Sequence, residues 1–219
     1  MSDMTIHPIF PCLVAEIDNV LTEEENEKLY QECMNLRYEC EGKQPWHCNI
    51  FSTFSYNELN LMNFEWFQAF IQKVAENTVE YLQTIYRENE KADLTISNCW
   101  FNISSKGDFQ ERHIHSRSHV SFVYYLKAPK GSNGTTFYNT YENMFSINQI
   151  LKPKEDTRIF TSDAFHTPAD ERKLVLFQSH IPHMTLQHEI DEERVSISGN
   201  FTVKEVTDNE EDNKNDFWG

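Results

Sequence analysis

The spacing of apolar and polar residues changes about halfway along this chain of 219 residues. The first half begins with IFPCLVAEIDNV, residues 9–20, which predicts a strand. Thr22 and Glu25 then have the T-x-x-E spacing of a capping box, so we expect a helix to begin there. Residues of that helix recur at helical spacing and predict its buried face: Leu29, Cys33 and Leu36.

A second, longer helix is predicted from about Asn63 to Arg87. Its apolar residues recur at the spacing of one helix face: Phe67, Phe70, Ile71, Val74, Leu82 and Ile85. Because such a stripe needs an apolar partner, we interpret it as a surface that packs on a sheet.

After about Leu94 the chain consists of short β-rich segments separated by turn signals such as KGSNG and TPADE. These segments are LTISNCWFNISS, SFVYYLKAP, GTTFYNT, KLVLFQSH and RVSISGNFTV. The pattern predicts an α+β, mainly β chain, in which an antiparallel sandwich or barrel carries the helices on one side. We expect one domain over residues 1–204, with helical support at about 21–90 and a core at about 94–204. The remaining residues, 205–219, are predicted to form an acidic flexible tail.

Composition narrows the expected partners. The net charge of −16, from 35 acidic and 19 basic residues, disfavours broad nucleic-acid binding and association with anionic membranes. No segment approaches the ~18 apolar residues of a membrane span. The five cysteines include no CxxC pair, which is typical of a reducing compartment, so we expect a cytoplasmic protein.

Two histidines one residue apart, His113 and His115, precede the most strand-like segment of the chain. Alternate side chains of an extended backbone point to the same face, with Cβ atoms roughly 6–7 Å apart. Two imidazoles in this arrangement can bind one metal ion. Solvated or hydrogen-bonded histidines are the alternative, and this pair alone leaves both interpretations open.

A third metal ligand could come from a later strand edge. The candidates that follow KLVLFQS are His180, His183 and His188. His183 follows a proline where a strand gives way to a loop, so its ring could lean into the mouth of a barrel.

Arg194 and Ser196 share one face of the strand predicted next. An arginine that points into a barrel needs an anion, and a carboxylate matches its planar guanidinium. The alternative for Arg194 is a surface ion pair with Glu192 or Glu193.

Taken in order, these motifs resemble those of the Fe(II)- and 2-oxoglutarate-dependent oxygenases, and most of all a subgroup found in phage and marine bacterial genomes. That subgroup has the pattern HxH, SxVYYL, LxxFxS, PH and RxSIxxN, which this chain reproduces over about residues 97–203. The resemblance implies a double-stranded β-helix, which is a distorted, cupin-like jelly roll. If the chain is phage-encoded, its cytoplasmic location would be that of the host.

The resemblance also implies residue roles. The ligands of Fe(II) would be His113, His115 and His183. The cosubstrate 2-oxoglutarate would contact Arg194, Tyr125, Ser196 and Asn102. The implied reaction uses O₂, releases succinate and CO₂, and hydroxylates an unidentified small molecule or protein side chain.

His115 departs from the superfamily pattern, in which an aspartate or glutamate occupies this position. A neutral ligand leaves iron one charge unit more positive, and three histidines also suit Zn²⁺. The set of Arg194, Tyr125 and Ser196 favours iron. The alternatives are a three-histidine cupin-like protein independent of 2-oxoglutarate, either a dioxygenase or a zinc lyase, and a non-catalytic jelly-roll binding module.

Overall fold

The computed structural model describes residues 12–39, 48–87, 92–139 and 162–205. Its strands are β1 Val14–Ile17, β2 Phe51–Ser52, β3 Ala92–Ser104, β4 Gln110–His113, β5 Val120–Lys127, β6 Thr135–Tyr138, β7 Ala164–His166, β8 Leu174–Gln178, β9 His183–Thr185 and β10 Arg194–Glu205. Its helices are α1 Glu23–Glu39 and α2 Gln68–Gln83. The predicted acidic tail lies outside the described residues, apart from Glu205.

The strands form two antiparallel sheets. The major sheet has six strands in the order β1-β8-β5-β10-β3-β2, and the minor sheet has four in the order β4-β9-β6-β7. The paired strands are far apart in sequence, which is the connectivity of a double-stranded β-helix, so the predicted fold class is confirmed. Neither of the described helices is long and apolar enough to cross a membrane.

The outer face of the major sheet packs against both helices. Alternation along the strands sends one set of large apolar side chains to this face, and they are fully buried: Phe101, Ile103, Phe122, Tyr124, Val195 and Ile197. The helices supply the other half of this core through Leu29, Cys33, Leu36, Phe70, Ile71 and Val74. This packing confirms both predicted helix stripes and leaves the opposite face of the sheet for the site.

The two helices differ in how well the sequence predicts their starts. At α1 the capping box forms as expected, because Glu25 N–H donates to Thr22 Oγ1 at 3.2 Å and Thr22 N–H donates to Glu25 Oε2 at 2.9 Å. The second helix begins at Gln68 rather than Asn63 and ends at Gln83. Three single-turn 3₁₀ helices precede it, and the Asn60 side chain caps one of them by accepting from Met62 N–H.

The inner face of the major sheet is largely polar. Along β10 the inward residues alternate as Arg194, Ser196, Ser198 and Asn200. Their partners on β3 continue the rows with Ser104, Asn102, Trp100 and Asn98. A small apolar cluster also lies between the two sheets and consists of Tyr125, Phe137, Val175, Phe177 and Ile181.

Candidate metal centre

Two of the predicted ligands belong to the minor sheet. His113 is the last residue of β4, His183 is the first of β9, and the two are direct cross-strand partners. His115 lies beyond the end of β4, where its backbone N–H donates to the carbonyl oxygen of Ser179 at 2.9 Å. Ser179 directly follows β8 of the major sheet, so the chain crosses from one sheet to the other between the two histidines of the HxH motif.

The three rings converge. Ring centroids are 5.3 Å apart for His113 and His115, 4.3 Å for His113 and His183, and 5.0 Å for His115 and His183. One nitrogen from each ring lies within 4.8 Å of the others. Because nitrogens that share one metal ion are roughly 3–4 Å apart, this cluster can hold a single ion.

Hydrogen bonds at Nδ1 define the tautomer of each ring. His113 Nδ1 donates to the carbonyl of Glu111 at 2.6 Å, and His183 Nδ1 donates to the carbonyl of Ile181 at 2.8 Å. His115 Nδ1 donates to Asn200 Oδ1. A neutral imidazole that donates from Nδ1 carries its lone pair on Nε2, which is the arrangement found in metal-bound histidines.

Burial keeps these imidazoles neutral. It lowers the pKa of His183 to about 3 and that of His115 to about 4, and it lowers the pKa of His113 as well. Aromatic side chains exclude water around His183, with Phe177 at 4.7 Å and Phe137 at 6.1 Å between ring centroids. Neutral, desolvated imidazoles are the form that binds a transition metal.

These low pKa values predict a pH-dependent stability of the metal-free protein. The unfolded chain takes up protons below about pH 6.5, while the folded histidines resist them, so protons favour unfolding. We expect the thermal midpoint of the metal-free protein to fall between about pH 7.5 and about pH 5.5. In a His183→Gln variant this fall should be smaller; an equal fall in both proteins would show that His183 is not held neutral.

Arg194 is buried, with 2% of its surface exposed. Its Nη1 donates to the carbonyl of Asn133 and its Nη2 donates to Ser104 Oγ at 2.8 Å, while Nε has no partner among the described residues. The expected alternative of a pair with Glu193 is wrong, because Glu193 binds Arg37 at 2.8 Å. Arg194 donates no hydrogen bond to a carboxylate among the described residues; burial lowers its pKa, although the charge of the buried Asp108 opposes this shift. Its spare N–H fits a site for a ligand anion.

The other three predicted cosubstrate contacts form one row beside Arg194. Ser196 on β10 pairs with Asn102 on β3 and with Tyr125 on β5, so all three side chains point to the inner face. Each is at least 95% buried, and Asn102 Oδ1 has no partner in the described part of the chain. Burial raises the pKa of Tyr125, which keeps its hydroxyl protonated and able to donate.

The chain is similar to a known family in sequence and to solved structures in fold. Residues 98–200 match the family described as "Putative 2OG-Fe(II) oxygenase", where 2OG is 2-oxoglutarate. No curated protein matches the chain by sequence.

Solved structures share the fold at low sequence identity. A prolyl-4-hydroxylase from Pseudomonas putida aligns over 86% of this chain and 91% of its own, with 18% identity and a TM-score of 0.57. A viral collagen prolyl hydroxylase from Paramecium bursaria Chlorella virus-1, solved with 2-oxoglutarate, aligns over 86% and 94%, with 16% identity and a TM-score of 0.53. The α-ketoglutarate-dependent epimerase SnoN from nogalamycin biosynthesis aligns over 86% and 77%, with 13% identity and a TM-score of 0.60.

The fold and the histidine cluster therefore define a metal-binding double-stranded β-helix protein. Over residues 98–200, the chain matches the family of Fe(II)- and 2-oxoglutarate-dependent oxygenases. Its cofactor is Fe(II), and 2-oxoglutarate and O₂ are its cosubstrates. The residues fit this assignment, since the histidines present Nε2 lone pairs and Arg194 presents an N–H that no described residue accepts.

The remaining histidines lie apart from this cluster where they are described. His119 is exposed, and its Nδ1 accepts from Val203 N–H at 3.0 Å; His180 is also exposed. His188 is fully buried, and its Nε2 donates to the carbonyl of Glu192 at 2.7 Å. Sequence analysis overlooked the partners of His115, although alternation along β10 places Asn200 on the same face as Arg194.

Proposed function

We propose that this oxygenase hydroxylates its substrate, with His113, His115 and His183 as the ligands of Fe(II). The observation that carries the proposal is the convergence of three neutral imidazoles, one of which bonds to Asn200 on the sheet face that also carries the buried Arg194. Hydroxylation rather than another outcome is supported by the similar structures. Two of them are prolyl hydroxylases, which align over 91% and 94% of their own lengths.

We further propose that Arg194 binds the distal carboxylate of 2-oxoglutarate. Tyr125 and Ser196 would donate hydroxyl hydrogen bonds to the same carboxylate, and Asn102 would contact the cosubstrate from the neighbouring strand. Ser196 and Ser198 are the inward residues of β10 between Arg194 and Asn200, and their small side chains leave room for the cosubstrate above the strand. A three-histidine zinc lyase would have no use for this buried cation.

In the proposed reaction, substrate C–H, O₂ and 2-oxoglutarate give substrate C–OH, succinate and CO₂. One oxygen atom enters the new hydroxyl and the other enters the succinate carboxylate. Bound iron supplies O₂ activation. The protein holds the cosubstrate between Arg194 and the histidines, keeps the imidazoles neutral and excludes water through the aromatic side chains around His183.

The test is a screen of small molecules and peptides with the iron-loaded enzyme under air. We expect one substrate class to raise succinate formation at least about 10-fold above the background without substrate, since bound substrate orients the reacting C–H bond. Mass spectrometry should show a product with one added oxygen atom, and ¹⁸O₂ should label it. A product formed by hydrogen loss or epimerisation, with no oxygen gained, would contradict hydroxylation.

A further inference from the structure

His115 is held to the major sheet by a buried network of side-chain hydrogen bonds. Its Nδ1 contacts Asn200 Oδ1 and lies 3.0 Å from Ser121 Oγ. Ser121 Oγ in turn donates to Asn200 Oδ1 at 2.8 Å and lies 2.8 Å from Ser179 Oγ. Ser121 and Ser179 are fully buried, and Asn200 is 7% exposed. Two polar side chains from neighbouring strands therefore contact His115 Nδ1, and Ser179 supports them from behind Ser121.

The direction of each hydrogen bond follows from the number of hydrogen atoms that each group can donate. Asn200 Nδ2 donates to Asn98 Oδ1 at 2.9 Å, so its Oδ1 must face His115. Since the Ser121 proton goes to Asn200, Ser179 is the donor in the contact between the two serines. Asn200 Oδ1 can only accept, which makes His115 Nδ1 the protonated nitrogen and places the lone pair on Nε2.

The three histidines differ in what fixes this tautomer. For His113 and His183 the acceptor is a backbone carbonyl two residues earlier, which every sequence would supply. For His115 it is a side chain on β10, far away in sequence. The superfamily's usual aspartate or glutamate at this position needs no such support, because a carboxylate has no tautomer to select. An imidazole here requires a partner that sets both its tautomer and its ring orientation.

We propose that Asn200 is a positioning residue of the metal centre, which selects the Nδ1–H tautomer of His115 and fixes its ring orientation with the help of Ser121. This inference rests on the proposed role of His115 as an iron ligand. Asn200 itself contacts the far side of the ring, so it acts on the metal through His115. Its side chain thereby ties the HxH motif of the minor sheet to the major sheet.

Metal affinity measured with Co(II) and Fe(II) under anaerobic conditions tests the proposal. Asn200→Leu should weaken binding about 10- to 100-fold, the usual cost of losing a partner that orients a metal-bound histidine. Asn200→Asp should bind at least as tightly as the wild type, because a carboxylate is a stronger acceptor of the Nδ1–H. Thr202→Val, two residues further along β10, is the matched control and should leave affinity unchanged.

The absorption bands of bound Co(II) give a second readout, because they report the geometry of the metal's ligands rather than the overall packing of the protein. They should shift in Asn200→Leu and return to the wild-type position in Asn200→Asp. If Asn200→Leu does not fold, Asn200→Asp and Ser121→Ala decide: the first should keep wild-type affinity and the second should weaken it by a smaller factor. Wild-type affinity in Asn200→Leu, or a loss of about 10-fold or more in Asn200→Asp, would overturn the proposal.

These outcomes are distinguishable from failure of the proposed function. A wild-type protein that binds neither Co(II) nor Fe(II) would reject the metal centre itself. A wild-type protein that binds both metals, with Asn200→Leu binding them equally well, would reject only the positioning role.

Discussion

Replacing His183 with alanine is expected to lower Fe(II) affinity by more than about 100-fold and to abolish 2-oxoglutarate turnover. Removing a residue that only orients a metal-bound histidine already costs about 10- to 100-fold, so losing a ligand should cost more. The effect should be large because His183 is 95% buried at the centre of the cluster, with His113 directly opposite across the minor sheet. Equilibrium dialysis against Fe(II) under anaerobic conditions measures the affinity, and succinate formation measures turnover.

His180→Ala is the matched control for this variant. His180 lies three residues earlier in the sequence, but its side chain is exposed. We expect wild-type iron affinity and turnover from it. If His183→Ala retained stoichiometric iron at wild-type affinity, the assignment of His183 as a ligand would be wrong.

Replacing Arg194 with alanine should weaken 2-oxoglutarate binding roughly 10- to 100-fold, because charge-assisted hydrogen bonds contribute about 1.5–3 kcal/mol. Iron affinity should remain at the wild-type level, since Arg194 contacts Asn133 and Ser104 rather than the histidines. The predicted signature is therefore a raised KM for 2-oxoglutarate in an enzyme that still binds its metal. Isothermal titration of the iron-loaded protein with 2-oxoglutarate measures the effect directly.

Arg37→Ala controls for the loss of a cation near this end of β10. Arg37 pairs with Glu193, the residue just before the start of β10. This variant should bind 2-oxoglutarate like the wild type. An Arg194→Ala protein with unchanged affinity for 2-oxoglutarate would refute the carboxylate-binding role.

Local patterns in the sequence predicted the longer strands around the site but not the short strands β4 and β9, which carry His113 and His183. β-rich segments between turn signals predicted β3, β5, β8 and β10, and the capping box predicted the start of α1. These signals depend on contacts between near neighbours, which a single sequence records. The start of α2 was misplaced because Asn60 caps a 3₁₀ turn and also accepts from Cys99 N–H at 3.0 Å, a contact across 39 residues.

The site itself was only partly predictable. Because side chains alternate along a strand, Arg194 and Ser196 are expected on one face, and the structure shows them there. It also suggests that both histidines of the HxH motif lie on one strand, whereas β4 ends at His113 and His115 bonds to Ser179 of the other sheet. That crossover and the Asn200 network depend on which distant strands meet. Such pairings follow from global topology, which hydrophobic periodicity does not encode.

If the three histidines bind Fe(II) as proposed, their neutral charge distinguishes this centre from the carboxylate-containing sites of the superfamily. With His115 in place of an anionic ligand, less negative charge surrounds the metal. Several groups compensate through geometry rather than charge: backbone carbonyls orient two rings, and a buried side-chain network orients the third.

The most direct test of the account is the visible absorption spectrum of the protein after anaerobic addition of Fe(II) and then 2-oxoglutarate. If three imidazoles present iron to a cosubstrate held by Arg194, a weak charge-transfer band should appear and saturate at one 2-oxoglutarate per protein. The band should be absent from His183→Ala. A wild-type protein that binds iron stoichiometrically yet develops no band at saturating 2-oxoglutarate would contradict the account.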